Sequence, residues 1–328
     1  MDFLTSFLQV AEKDIIIFIF IALGFVCQRI GFLSDDANKC LANITMYFVT
    51  PCVIINAFST LYDKKELTEI LKNIGIVAII ALLTHLFMIA AVCLIFRLSD
   101  EDKRRIMRFG AVFSNAGFIA LPLAQALIDT PTSREGSLYA AVYLAIFNVV
   151  LWTWGLSDMS RDKKVISVKK ILTNPGIIGV VFGMVIFTSP LYLSPLGIEG
   201  IVLPSVITDA LSYMSAINLP VPMLMVGYYL GKADLKRAFR EKWAYICMVL
   251  RLVVFPLVLL LVLWLVGIRG NVMTVSVIGA CAPVGATLTM FAAKFDRDTT
   301  LSVSLVSLST IISLLTMPLI VGLTQMIA

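Results

Sequence analysis

Charged residues are scarce in this chain. Only 14% of its 328 residues are Asp, Glu, Lys or Arg, whereas 59% are hydrophobic. A soluble globule of this size needs far more polar surface, so the composition excludes a sizeable soluble domain and indicates that lipid is the solvent. A helix needs roughly 20 mainly apolar residues to cross the hydrocarbon core, and the chain has room for about ten such helices.

Nucleotide-binding and catalytic motifs are also missing. No GxxxxGK[ST] motif is present to hold the nucleotide of a primary pump. With one histidine, no HExxH and no GxSxG, the chain lacks the usual residue sets of an intramembrane enzyme. Its six cysteines form no CxxC pair, which argues against a disulfide framework and a zinc site. We therefore predict no enzymatic activity, no cofactor and no metal.

Apolar spans can be placed along almost the whole sequence. Ten are predicted, at residues 14–30, 38–61, 71–97, 107–128, 136–157, 174–193, 204–230, 243–267, 271–293 and 299–326. Nineteen of the 26 Lys and Arg residues then fall on one side of the membrane and six on the other, with Arg251 inside a span. By the positive-inside rule the basic side is cytoplasmic and both termini are non-cytoplasmic. The membrane topology thus explains the net charge of +5, and no binding to nucleic acid is needed to account for it.

The two halves of the chain are interrupted at matching places. Spans two and seven both carry proline, at Pro51 and Pro220, and spans four and nine both combine glycine with proline. A repeat of five spans, an odd number, forces the second copy to be inverted. We predict a first five-helix repeat at residues 1–158, a short basic cytoplasmic loop at 159–173 and a second, inverted repeat at 174–328.

Paired helix interruptions indicate a transport site. Asn115, Ala116 and Gly117 can leave the helical ladder, because Gly disfavours a helix interior and Asn bonds its own backbone. In span nine, Pro283 removes a donor and clashes with the preceding turn, and Gly285 loosens the same region. Half-helices that begin at such breaks present free N–H groups and a positive dipole end, which suit a carboxylate.

Five segments of the sequence resemble a known family. Residues 115–123 (NAGFIALPL) look like the fourth-helix signature of the auxin efflux carrier family. RLVVFPLVLLLVLWLVGIRG, from Arg251, and ACAPVGATLTMFAAKF are similar to its eighth and ninth helices. VTPCVIINAF and LPVPMLMVGYYLG resemble its second and seventh helices. The likeness extends over essentially the whole chain and is to the compact, bacterial-type form.

The resemblance implies an all-α membrane fold of ten helices, with a scaffold part and a transport part, in which broken helices four and nine cross. It implies that a ligand carboxylate lies beside the crossover. Ser114 stands where plant carriers have a crossover proline, and Pro122 belongs to the same signature. The expected substrate-binding residues are Asn115, Ala116, Gly117, Pro283, Val284 and Gly285 at the crossover, Thr50 and Pro51 on the second helix, and Asn148 on the fifth.

Isolated polar residues within spans need separate explanations. Inserting Arg251 into the membrane costs the most free energy among them. We interpret it as a structural charge that donates hydrogen bonds to carbonyl groups freed by a broken helix. His85 is interpreted as a neutral residue that bonds a neighbouring helix. The role of Asp209, near the non-cytoplasmic side, stays open.

The sequence predicts a secondary transporter that exports a small organic anion, such as an auxin-like or dicarboxylic acid, across the cytoplasmic membrane by alternating access. Its expected partners are that anion and the lipid bilayer, with a homodimer as the expected assembly. A ligand-sensing membrane module or an anion channel on the same fold is the alternative, since fold alone does not decide function. With no obvious sodium cage or buried carboxylate pair, the sequence favours export driven by the membrane potential.

Overall fold

The computed structural model describes residues 3–59, 64–130, 132–160, 169, 172–198, 200–233 and 240–328. Within those ranges the chain is built from helices, and two facing residues form its one isolated β-bridge. We number the helices α1 Phe3–Arg29, α2 Asp35–Phe58, α3 Lys64–Ile95, α4 Glu101–Val112, α5 Ala116–Ile128, α6 Glu135–Ser160, α7 Pro175–Leu196, α8 Ser205–Lys232, α9 Lys242–Val266, α10 Gly270–Cys281, α11 Thr287–Lys294 and α12 Thr299–Ile327.

Seven of these helices are long and apolar enough to cross a membrane, namely α2, α3, α6, α7, α8, α9 and α12. Helix α1 has 27 residues, but every 18-residue stretch of it contains Glu12, Lys13 and Asp14. Helices α5 and α10 are apolar but shorter. The predicted all-helical membrane class is therefore confirmed. The count of ten spans and the inverted repeat remain predictions, as do the repeat boundaries, because most of the loop at 159–173 lies outside the described residues.

Three of the prolines inside helices follow wider, π-helical turns. Such turns occupy Thr45–Val49 before Pro51, Ala116–Ala120 before Pro122 and Leu250–Val254 before Pro256. A proline in a regular helix would clash with the carbonyl of the residue four positions earlier, and a π-turn changes that spacing. These helices consequently continue through their prolines. Pro122, predicted to take part in the helix break, instead lies within α5, and the break is at residues 113–115.

Helix α1 packs closely against α8 through glycine. A Cβ on Gly227 would lie 2.0 Å from the carbonyl oxygen of Ile21, and one on Gly24 would lie 2.1 Å from that of Leu224. Because these contacts are with backbone, no side-chain rotation can relieve them. Glycine lets the two helix backbones approach to a distance that other residues forbid, as is common between membrane helices.

Gly227→Ala is therefore expected to lower the melting temperature of the purified protein clearly, since the two helices must separate to admit one methyl group. Gly75→Ala in α3 is the matched control, because nothing lies within 4 Å of its added Cβ. There the substitution should be neutral or stabilise the helix by up to about 1 kcal/mol. Thermal unfolding of both variants in the same detergent makes the comparison. Equal melting temperatures would contradict the close packing of α1 on α8.

Candidate functional site

Two interrupted stretches of chain meet in the middle of the fold. Residues 113–115 separate α4 from α5, and residues 282–286 separate α10 from α11. The two run antiparallel: the Asn115 N–H donates to the Pro283 carbonyl at 2.7 Å, and the Gly285 N–H donates to the Phe113 carbonyl at 3.0 Å. A Cβ on Gly285 would lie 2.7 Å from the Ser114 carbonyl oxygen, so glycine permits this approach. We call these two stretches the crossover.

Serine hydroxyls secure the crossover to the helices around it. The Ser114 hydroxyl donates to the Gly279 carbonyl near the end of α10 at 2.9 Å. From α12, the Ser309 hydroxyl accepts the Val284 N–H at 3.1 Å. Both serines are buried. The N–H groups of Val284 and Gly285 are thus engaged within the protein and offer no free donor to an anion in this structure.

Arg251 lies directly beneath the crossover and is 1% exposed. Its Nε donates to the Ala282 carbonyl at 3.1 Å, and one terminal nitrogen donates to the Val112 carbonyl at 2.9 Å. Its further acceptors are the carbonyls of Ala111, Gly279 and Ala280. One guanidinium therefore holds the carbonyl ends of both α4 and α10, groups that have no partner inside their own helices.

A cavity of about 450 Å³ reaches from the exposed Asp35 at the start of α2 to the buried Asn115 at the crossover. Its walls come from α2, α5, α6, the start of α7, α8 and the start of α11. The lining residues are Asp35, Asn38, Lys39, Ala42, Asn43, Met46, Thr50, Ser114, Asn115, Ala116, Gly117, Phe118, Leu144, Phe147, Asn148, Leu151, Trp152, Asn174, Gly176, Met225, Tyr229, Gly285, Ala286, Thr287 and Met290.

Besides one buried acceptor, Oδ1 of Asn38, three buried donors line this cavity without a partner among the described residues. They are Nδ2 of Asn115, Nε1 of Trp152 and Oγ1 of Thr287, all of which can donate. The first N–H groups of α5, on Ala116 and Gly117, also lack an acceptor among the described residues, as expected at the start of a helix. Buried polar groups are normally paired, so such a concentration of free donors indicates a place where an acceptor binds.

Charge at the exposed end of the cavity is positive. Asp35 accepts from the Lys232 ammonium at 2.7 Å and from the Tyr228 hydroxyl at 2.6 Å. Lys39 is the other charged residue of the lining. Because Lys232 neutralises Asp35, the positive charge of Lys39 remains to attract an anion towards the cavity.

The structure brings together some of the predicted binding residues and not others. Thr50, Ser114, Asn115, Ala116, Gly117, Asn148 and Gly285 line the cavity. Pro51, Pro283 and Val284 do not, because they lie behind the wall or inside the crossover. The Thr50 hydroxyl already donates its one hydrogen to a carbonyl of its own helix at 2.9 Å. The Asn148 amide donates one of its two N–H groups to the Leu144 carbonyl at 3.0 Å and keeps the other.

Trp152 and Thr287 were not expected from the sequence. Trp152 is four residues after Asn148 and thus on the same face of α6, a spacing that would have indicated it. His85 also differs from expectation: its ring nitrogen lies 2.6 Å from the Ala81 carbonyl of its own helix, rather than bonding a neighbouring one.

Known proteins are similar to this chain in sequence. A family model described as membrane transport protein matches residues 9–166 and 163–321, almost the entire chain. The chain belongs to the auxin efflux carrier family. Among the relatives of this carrier, an uncharacterized transporter of Methanocaldococcus jannaschii is 23% identical over 312 residues, which cover 93% of this chain and 96% of the relative. Another, from Methanothermobacter thermautotrophicus, is 24% identical over 317 residues, 95% and 98% of the two chains.

Membership of this family establishes a multi-pass membrane transport protein. Its substrate is a small molecule, and its solvent is the lipid bilayer. The relatives named above are transporters rather than enzymes. Each alignment covers at least 93% of the carrier, so the crossover and its cavity lie within the shared region.

Proposed function

We propose that this carrier exports a small organic anion across the cytoplasmic membrane and that the carboxylate of the anion binds at the crossover end of the cavity. The observation that carries the proposal is the set of three unpartnered buried donors there, on Asn115, Trp152 and Thr287. Helix α5 adds the N–H groups and positive dipole end of its first turn. Such donors bind a carboxylate without any cation inside the site.

The extent of the cavity supports alternating access. Among the described residues, its lining includes none from the chain around Arg134 or Arg269, on the side opposite Asp35. A cavity open to one side is what a carrier presents in one of its two end states, and it favours a carrier over a channel. An anion bound at the crossover would be released when the walls of the cavity rearrange and open the other side.

Transport in proteoliposomes tests the proposal. Purified carrier is first screened for thermal stabilisation by indole-3-acetate, malate and other small organic acids, because a ligand at 100 times its dissociation constant stabilises a protein by about 2.7 kcal/mol. Flux of a stabilising acid is then measured with and without an imposed membrane potential. A carrier saturates and is limited by conformational steps on the microsecond-to-millisecond scale or slower. Flux that stays linear with concentration at channel rates would favour the anion channel, and binding without flux the sensor.

The proposed orientation places the basic side, with Asp35 and the cavity opening, in the cytoplasm. Thr132→Cys, in the exposed segment between α5 and α6, is expected to react with an impermeant thiol reagent from outside intact cells when the native cysteines are replaced. Asp100→Cys, on the basic side, should react only after the cells are opened. The reverse pattern would contradict the orientation.

A further inference from the structure

Asp14 is a buried acid in α1, and the binding of an anion at the crossover does not use it. Its side chain is 3% exposed. Oδ2 has no hydrogen-bond partner, and no described donor or cation interacts with the carboxyl group. It occupies the buried stripe of α1, whose other members include Val10, Ile17 and Ile21. An apolar side chain would fill this position at a lower cost in folding free energy, so the presence of an acid here indicates a function.

Few titratable groups surround Asp14. Helix α12 and the part of α5 that packs on α1, Leu121–Ile128, contain none. The titratable residues on the packed half of α8 are Tyr228, Tyr229 and Lys232, at the other end of α1, where Gly231 contacts Gln28. On α1 itself, Glu12 and Lys13 pair with each other at 3.6 Å. The Cys281 thiol at the end of α10 is near enough to interact electrostatically, but it is neutral and supplies no positive charge.

A carboxylate without a cation or donor is very unfavourable in such surroundings, and the group takes up a proton instead. Asp14 therefore carries a proton in the conformation described here. The uptake is simple acid–base chemistry: the carboxylate and one proton from water give the neutral carboxylic acid.

The position of Asp14 connects this proton to the movement of the carrier. Helix α1 is fixed to α8, whose Met225 and Tyr229 form one wall of the cavity. Helix α12 contacts α1 where Phe7 meets Gly322, and its Ser309 binds the crossover on the opposite wall. The face between α1 and α12 is thus a boundary between the two walls. A rearrangement that moves one wall of the cavity against the other alters this boundary.

We propose that Asp14 is a proton-binding site linked to the transport cycle, occupied while α1 and α12 are packed as in this structure and emptied when they part and water reaches the carboxyl group. The conformation described here, which we call the cavity-open state, then holds one proton more than the conformation in which water reaches Asp14. Low pH favours the cavity-open state, and the conformational equilibrium shifts by up to about tenfold per pH unit. Transport becomes dependent on pH, which a purely potential-driven carrier does not require.

Infrared spectroscopy of the substrate-free protein in lipid tests proton binding without reference to transport. The parent should show, at neutral pH, the carbonyl stretch of a protonated carboxylic acid. Asp14→Asn should lack this contribution, and Glu12→Gln, which alters an exposed acid on the same helix, should keep it. Asp14→Glu should keep a band at a shifted position. Identical spectra for the parent and Asp14→Asn would overturn the proposal.

Flux measurements test the linkage, and this part rests on the proposed function. With the membrane potential clamped at zero, flux of a transported acid through the parent should change by about tenfold or more between about pH 6 and pH 8. Asp14→Asn should transport at a rate independent of pH, and Asp14→Glu should restore the dependence. If the parent moves no organic acid, the proposed function fails while the infrared result still decides whether Asp14 binds a proton. Unchanged pH dependence in Asp14→Asn would overturn the linkage.

Discussion

Replacing Arg251 with leucine is expected to leave the carrier largely unfolded. The guanidinium is the hydrogen-bond donor to the carbonyl ends of two half-helices, and it is buried with them. Each buried acceptor left without a donor costs about 1 to 3 kcal/mol, and several are lost together. Proteins are stable by only about 5 to 15 kcal/mol, so the loss removes a large part of the total. Yield after size-exclusion chromatography and the melting temperature are the measurements.

Arg251→Lys should also be destabilised, although less. Charge alone suggests that lysine is tolerated. The two terminal nitrogens of the guanidinium, however, donate to different helices, one to a carbonyl of α4 and the other to a carbonyl of α10. A lysine ammonium is a single point and cannot hold both ends. Arg269→Leu is the matched control, because that exposed arginine also donates to carbonyls, those of Leu263 and Ile268, yet in contact with solvent. A leucine variant of Arg251 that folds like the parent and fails only to bind substrate would make Arg251 a ligand instead.

The broad features of the fold could be predicted because they follow from the amino-acid composition and from the lengths of the apolar runs. Scarce charge requires lipid, and runs of apolar residues reveal most of the long helices. Asn115, Gly117, Pro283 and Gly285 marked the regions where chain leaves the helix, since these residue types weaken a helix wherever they stand. The prediction that Pro122 takes part in the helix break was wrong, because a proline does not break a helix that can widen into a π-turn before it.

The parts of the site that could not be predicted depend on which helices become neighbours. Whether the Gly285 N–H is free depends on the Phe113 carbonyl, which is 172 positions away in sequence. Asp14 looked like the polar edge of a span, since its burial is decided by the helices around α1 rather than by its own neighbours in sequence. Trp152 had the right spacing from Asn148, but an aromatic residue in a membrane helix is common and draws attention only when its N–H is found without a partner.

Changing Asn115 is expected to weaken anion binding strongly while leaving the fold intact. The residue lines the cavity, and its buried Nδ2 has no partner among the described residues, so Asn115→Ala removes a donor without leaving another group unsatisfied. A hydrogen bond to a charged group contributes about 1.5 to 3 kcal/mol, which corresponds to about a 10- to 150-fold loss of affinity. Trp152→Phe, which keeps a large aromatic ring and removes only the Nε1 donor, should lower affinity to a similar degree if both donors bind one carboxylate.

Asn115→Asp separates an anion site from a general binding cavity. The two side chains have nearly the same shape, but the aspartate would face the substrate carboxylate, and two like charges about 4 Å apart repel by about 4 kcal/mol at an effective dielectric constant of about 20. Binding should therefore fall further than in Asn115→Ala. Asn56→Ala is the control, since this buried residue of α2 lies outside the cavity lining, and its affinity should match the parent. Affinity and flux are compared in proteoliposomes at matched protein amounts. An Asn115→Asp variant that binds and transports an organic anion as well as the parent would show that the carboxylate does not bind at the crossover.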